Sequence, residues 1–276
     1  MIDLHIHSHF SDGIPSPSEL VALAEERGLE AAALCDHNTV SGLPEFLEAG
    51  SKSKVETIPG AELTAGYKGK ELHILALFIP NSQYNAVTEK MAPFRKRKEV
   101  SNQKLYDSLL ADGFQLDWQR ICQGSLDYVN RLAFARELVR CGYAADRDEA
   151  FNKYLQPGLG YYEPAIREDA FDIIRFIRSI GALPVLAHPL FSVSEETLLE
   201  FLPQAKEAGL AAMEVYYSKY TEETTRRACE IAAQFGLEKS GGSDFHGKQD
   251  SDIQPGVGKG NLHIPYSVLK NLKNLL

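Results

Sequence analysis

Short apolar runs alternate along this chain with stretches whose apolar residues recur at helical spacing, the pattern of strands joined by helical crossovers. The runs are Ile2–Ile6, Ala31–Cys35, Glu56–Ala61, Leu72–Phe78, Leu183–Ala187, Ala211–Tyr216 and Glu238–Gly242. Most are brief and aliphatic, as parallel strands buried on both faces should be. Ser16-Pro17-Ser18-Glu19 supplies a cap, a proline and an acid, after which Leu20, Leu23 and Ala24 keep helical spacing up to Gly28. This predicts a helix over Pro17–Arg27. Crossovers over Glu168–Ser179, Glu195–Ala208 and Thr221–Phe235 are likewise stopped by Gly181, Gly209 and Gly236. The rhythm is that of an α/β barrel. Between the fourth and fifth runs, residues 86–162 are rich in helix formers and charge and lack strand signals, and read as a helical insertion. The barrel would then comprise residues 1–85 and 163–276.

A length of 276 residues suits one barrel with an insertion. A net charge of −9 argues against a broad grip on long nucleic acid, which needs a basic surface. It leaves room for a small phosphorylated substrate, because bound metals dominate local charge in such sites. Cys35, Cys122, Cys141 and Cys229 form no C-x-x-C pair, so neither a thiolate zinc knuckle nor a disulfide framework is expected. With no signal-peptide pattern and no apolar run of membrane-spanning length, the expected setting is cytoplasmic, without a membrane partner. The basic run Arg95-Lys96-Arg97-Lys98 reads as a solvated helix face, with a phosphate funnel as the alternative.

Acids and histidines cluster at the ends of the runs. His5 and His7 close the first, two apart on an extended chain, so both imidazoles project to one side. Asp12 follows. The second run ends at Asp36-His37, the third at Glu62, the fifth at His188 and the seventh at Asp244-Phe245-His246, while the fourth contains His73. In a parallel barrel the C-terminal strand ends converge on one face, where active sites are built. A lone histidine at such a place is usually structural; His5, His7, His37, His73, His188 and His246 all recur there. Imidazole and carboxylate together suit Zn²⁺, Mn²⁺ or Fe.

These residues, as Asp3-Leu4-His5-Ile6-His7 with Ser11-Asp12-Gly13, Cys35-Asp36-His37, Ala187-His188-Pro189 and Gly242-Ser243-Asp244-Phe245-His246, resemble the signatures of the PHP (polymerase and histidinol phosphatase) family of metal-dependent phosphoesterases. The resemblance implies a distorted (β/α)7 barrel holding two or three divalent metal ions (Mn, Zn or Fe). It places one on His5, His7, Glu62 and Asp244, a second on Glu62, His73 and His188, and a third on Asp12, His37 and His246. It implies hydrolysis of a phosphate ester by metal-activated hydroxide, with Asp12 and His188 in catalytic positions. Because phosphoryl transfer needs cationic groups to complement the metals, Arg131 and Lys219 are expected on the substrate phosphate, Arg131 in a catalytic position as well. Arg131 and Lys219 have bland readings as well, a helix cap or a surface ion pair.

The insertion segments Asn130–Arg136 and Tyr154–Gly158 are similar to the branch containing nucleoside 3′,5′-bisphosphate phosphatases and short-RNA 5′-exonucleases. The implied partner is a small nucleotide or short oligonucleotide. A histidinol-phosphate type of phosphatase and a non-catalytic metal-binding module are the alternatives. Asp3 and Asp36 read as outer carboxylates that orient imidazoles. Tyr161 and Tyr162 read as packing residues, with base stacking as a second role. His9, His263 and Cys35 are left out of the site.

Overall fold

The computed structural model describes residues 1–122, 129–248 and 251–276, so residues 123–128 of the predicted insertion lie outside the described residues. It divides into two compact units, Met1–Lys90 with Arg167–Leu276, and Met91–Ile166.

The first unit carries the strands β1 (Ile2–Ile6), β2 (Ala31–Leu34), β3 (Glu56–Tyr67), β4 (Lys70–Leu77), β5 (Glu168–Asp169), β6 (Leu183–Leu186), β7 (Ala212–Tyr217) and β8 (Glu238–Gly242). Helix α1 (Pro17–Glu26) opens on a capping box between Ser16 and Glu19, as its sequence predicts. Its fellow crossover helices are α2 (Leu43–Gly50), α7 (Ala170–Ser179), α9 (Glu195–Glu207) and α10 (Glu222–Gln234). The short α8 (Pro189–Ser192) precedes α9, and α11 (Tyr266–Lys273) ends the chain.

The strands run in the order β1-β2-β3-β4-β6-β7-β8, with β5 paired only to the outer half of β3. The circle closes where Asp244 N donates to His5 O and His7 N donates to Phe245 O, both at 2.9 Å. The result is a nearly closed seven-stranded barrel.

One strand departs from the all-parallel expectation. β3 continues six residues beyond its predicted end and returns through Lys68 and Gly69, both at positive φ, into β4. A two-residue turn of that kind matches the twist of a hairpin. β4 therefore lies antiparallel to both β3 and β6. The signal in the sequence was the Lys68-Gly69 pair between two apolar runs. The reversal explains why His73 sits near the start of its strand: opposite Thr64, it reaches the same rim as the C-terminal ends of the other strands.

The opposite end of the barrel is filled with apolar side chains, where Leu269 and Leu272 of α11 join Ile2, Leu4, Leu75 and Val185. Chemistry is thereby confined to one rim. Gly242 permits the closure: a Cβ there would lie 2.3 Å from His5 Cβ and 2.6 Å from His5 N. Gly242→Ala is expected to cost about 1–3 kcal/mol through overpacking and to displace His5. Thermal unfolding beside metal content would check this, and a wild-type Tm with full metal loading would refute it.

In the second unit, the later part of α3 (Tyr84–Ala111) is followed by α4 (Trp118–Cys122), α5 (Arg131–Arg140) and α6 (Arg147–Ala150), which passes into a π-helical turn. Leu105, Leu109, Phe134, Leu138 and Leu155 form its own core. Asn130 and Asp146 cap α5 and α6. The basic run lies on α3, where Lys96 pairs with Glu99 at 2.8 Å and Arg97 donates to Ile166 O at 2.8 Å. Those are ordinary helix-surface contacts. No helix of the described residues is long and apolar enough to cross a membrane.

Glu137 anchors this unit, accepting Arg140 Nε and Nη2 at 2.7 and 2.6 Å and Asp117 N at 2.9 Å. The Arg140 hydrogen bonds hold its pKa down at about 2. Because the folded value is depressed, the stabilisation is complete above the ordinary glutamate value of about 4.3 and is lost as pH falls through the folded one. Glu137→Gln is expected to cost about 1–3 kcal/mol at pH 7, with the gap from wild type narrowing as pH falls towards 2. Denaturant titrations across that range test it; a gap independent of pH would exclude the ion pair as the cause.

Candidate metal centre

The rim is assembled from strand ends held in unusual backbone. His5 and His7 are fully buried at the end of β1. Asp12 is presented by a loop that Asp36 shapes, accepting Ser8 N at 2.8 Å, Ser8 Oγ at 2.6 Å and Ser11 Oγ at 2.5 Å. Asp3 accepts His5 N, Ser243 N and Gly256 N, tying β1 to the segment beyond β8. Both carboxylates thus order backbone and loop hydroxyls rather than imidazoles, which corrects the sequence reading. Asn38, His188 and Asp244 follow β2, β6 and β8 with φ of 56°, 30° and 57°. Left-handed backbone in non-glycine residues costs about 1–3 kcal/mol each and persists only where surroundings enforce it. Asn38 is held by a two-way bond with Thr64, His188 N by Glu214 Oε2 at 2.8 Å, and Asp244 N by His5 O.

Glu62 is the hub. Its Oε1 lies 2.8 Å from His73 Nδ1 and 3.0 Å from His188 Nε2. Its Oε2 lies 3.2 Å from His5 Nε2, 3.4 Å from His7 Nε2 and 3.1 Å from His37 Nδ1. Asp244 Oδ1 sits 3.3 Å from His7 Nε2, and Asp12 Oδ1 sits 2.9 Å from His246 Nε2. Three groups have ligand atoms within 4.8 Å of one another: His5, His7, Glu62 and Asp244; His7, Asp12, His37 and His246; His37, Glu62 and His73. The third differs from the set implied by resemblance, since His37 stands where His188 was placed. His188 nevertheless touches the shared carboxylate.

Lys219 Nζ lies 3.9 Å from Asp244 Oδ2 and over the Phe191 ring. Arg131 belongs to the second unit, where its guanidinium stacks on Tyr162 and Nη1 donates to Leu155 O. Tyr161 donates to Asp112 and packs on Phe114 and Tyr154. The two tyrosines therefore take the packing role. His9 is exposed and stacks on Phe10.

The electrostatics of the rim suit a cation. Burial and the proximity of His246 push His7 down to about 4, and burial pushes His37 down to about 3. Neutral imidazole is the form that can coordinate a metal. Burial opposes protonation of His73 as well, but Glu62 and Glu71 outweigh it and raise its pKa to about 10. Burial of Glu62 is overcome by His73, His37 and His5, which hold the carboxylate well below its usual range. Among the described residues, His5 Nε2, both His7 ring nitrogens, Glu62 Oε2 and His73 Nδ1 are buried without a hydrogen-bond partner. Buried polar atoms normally find partners. So many crowded, unaligned donor atoms around one carboxylate fit divalent ions.

The PHP domain pattern matches residues 3–140. Over 247 residues the chain is 30% identical to a 5′-3′ exoribonuclease of Haemophilus influenzae, covering 88% of this chain and 89% of that one. The chain belongs to the PHP family. It is 28% identical to a phosphoribosyl 1,2-cyclic phosphate 1,2-diphosphodiesterase of Eggerthella lenta, covering 89% of this chain and 94% of the other. A 3′,5′-nucleoside bisphosphate phosphatase of Chromobacterium violaceum is 29% identical, with 89% and 87% covered. Among solved structures, one described as a metal-dependent phosphoesterase from Bifidobacterium adolescentis superposes with a TM-score of 0.81 at 25% identity, covering 99% of this chain and 96% of that one. This PHP protein is a metal-dependent hydrolase of phosphate esters.

The PHP centre also uses residues that the sequence reading passed over. Glu214, fully buried in β7, approaches His5 Nδ1 at 3.1 Å with Oε1 while Oε2 accepts His188 N. A carboxylate behind an imidazole fixes its tautomer and orientation. A lone acid in the apolar run Ala212-Met213-Glu214-Val215 was the available signal. Tyr217 donates to Asp244 Oδ2 at 2.9 Å, and burial and Asp244 keep it protonated. Lys248 Nζ lies 3.1 Å from Asp12 Oδ2, and nothing in its sequence position announced it. Glu214→Gln is expected to lower activity about 10–100-fold, as for other groups behind a metal ligand. Wild-type kcat/KM in that variant would remove Glu214 from the centre.

Proposed function

We propose that two or three divalent ions (Mn, Zn or Fe) bind on His5, His7, Asp12, His37, Glu62, His73, His188, Asp244 and His246. In this reading the enzyme hydrolyses phosphate esters of small nucleotides, such as nucleoside 3′,5′-bisphosphates, or of the 5′ ends of short RNA. The observation that carries it is the overlap of the three ligand groups, which share His7, His37 and Glu62. Bound there, divalent ions supply Lewis acidity and make attacking water acidic enough to ionise near neutral pH.

The chain's own residues do the rest. Glu62 spans neighbouring groups and fixes their spacing, and Glu214 and Ser192 hold His5 and His188 with their other nitrogens facing the carboxylates. Lys219, beside Asp244, neutralises a substrate phosphate. His188 has Nδ1 engaged by Ser192 and Nε2 by Glu62 and serves by holding its place in the cluster, which leaves Asp12 as the candidate to move a proton. A phosphate contact by Arg131 rests on the sequence reading. Four free cysteines support a cytoplasmic setting.

Product analysis after Mn²⁺ loading, phosphate release for the small esters and 5′-nucleotide release for the RNA, tests the proposal, with adenosine 3′,5′-bisphosphate, AMP, a short 5′-phosphorylated RNA, histidinol phosphate and phosphoribosyl 1,2-cyclic phosphate as substrates. Preference for one of the first three supports it. Preference for histidinol phosphate or the cyclic ester moves the enzyme to another substrate class.

A further inference from the structure

The geometry points to Phe191 as a nucleobase-stacking platform beside the metal centre, a subsite that selects substrates whose phosphate carries a flat aromatic substituent. This rests on the phosphoesterase reading above and deepens it. Phe191 lies in α8, three residues after His188, and is 58% exposed. Its segment is tethered by hydrogen bonds. Ser192 Oγ meets His188 Nδ1 at 2.9 Å, and Leu190 N donates to the Tyr220 hydroxyl at 2.8 Å, so bonds on both sides fix the segment.

The ring meets His188 edge-on, with centroids 6.2 Å apart at 89°, and Tyr217 at 5.7 Å. Lys219 Nζ stands 4.6 Å from its centroid and 3.9 Å from Asp244 Oδ2. One ammonium thus bridges a carboxylate of the centre and the face of an exposed phenyl ring.

A single exposed phenylalanine is ordinary on a protein surface. This one touches a residue at the shared Glu62 carboxylate and lies under the cation nearest Asp244. A phosphate seated beside Lys219 places whatever it is esterified to within reach of that ring. A base gains stacking there, strengthened by the neighbouring cation. A bare sugar or an amino alcohol gains little. The sequence reading gave base stacking only as a second role of Tyr161 and Tyr162, which are engaged in their own unit.

The test compares AMP with ribose 5-phosphate, the same ester without its base, in the Mn²⁺-loaded full chain. Steady-state kinetics are paired with calorimetric binding of AMP. Phe191→Ala is expected to lower the ratio of kcat/KM for AMP over ribose 5-phosphate by about 10-fold, chiefly through KM, and to weaken AMP binding in parallel. Phe191→Trp should restore both. An unchanged ratio in Phe191→Ala, or an equal loss on both substrates, would overturn the subsite while leaving the phosphoesterase reading intact. Wild-type protein that neither binds AMP nor hydrolyses either ester would overturn the subsite, and inactivity on adenosine 3′,5′-bisphosphate and short RNA as well would overturn the phosphoesterase reading.

Discussion

Glu62→Gln is expected to lower kcat/KM by at least about 10³-fold, since loss of a single group that stabilises the transition state already costs about 10²–10³. The size of the effect follows from position. Glu62 belongs to two of the three ligand groups and stands within 3.4 Å of the imidazoles of His5, His7, His37, His73 and His188. An amide retains the volume but surrenders the charge that pairs with a cation, and its NH₂ presents hydrogens to whatever faces it. Circular dichroism should stay that of the wild type, because the strand pairing of β3 does not depend on this side chain. Metal content by mass spectrometry should fall with activity. A variant that keeps its full complement of ions and turns over normally would sink the assignment of Glu62 as the shared ligand.

Removal of metal should be felt as strongly in stability. An ion that binds only the folded state at 100 times its Kd adds about 2.7 kcal/mol. At about 2–4 °C per kcal/mol for a chain of this size class, one such ion raises Tm by roughly 5–10 °C. Chelator-stripped protein is therefore expected to melt that much lower than protein returned to Mn²⁺. The rim explains the direction: Glu62 is buried and Asp12 and Asp244 are largely so, and the three carboxylates there are balanced by protons on neighbouring imidazoles and by Lys248 and Lys219 at the edge, so an added cation is favoured. Differential scanning calorimetry with and without Mn²⁺ decides it. Identical melting curves would mean that the ligand groups do not take up the ion.

Much of this was legible in the residues themselves. β1 and β8 fall where their apolar runs begin and end, and the glycine-stopped crossovers became helices. Local signals sufficed because caps, stops and strand runs act over a few residues. The hairpin was missed because Glu62, a buried acid in the middle of β3, looks like the end of an apolar run. Its burial depends on imidazoles distant in sequence, which no local window contains. The nine candidate ligands came into view through their place at strand ends, and the structure gathers them at one rim. Their grouping was less accessible: by distance His37 joins Glu62 and His73, while His188 meets the same carboxylate from another side-chain direction. Glu214 carried a readable signal. Lys248 reaches Asp12 only through the path of a loop, and such paths are not encoded in periodicity.

The ligand groups also differ in how much of the chain they await. His37, Glu62 and His73 are all present once β4 has been made, and a hairpin holds two of them. Each of the other two groups needs a residue beyond β8, more than 200 positions after its first member. Contacts of high sequence separation form late because loop closure must precede them. The centre should consequently mature in two stages, a local nest first and the rest when the last strand zips onto the first. Rapid-mixing refolding followed by metal uptake is expected to resolve an early, weak phase and a later one coincident with full secondary structure. Hydrolytic competence then becomes a late reporter of chain completion, so partly folded protein would carry metal before it could act on a substrate.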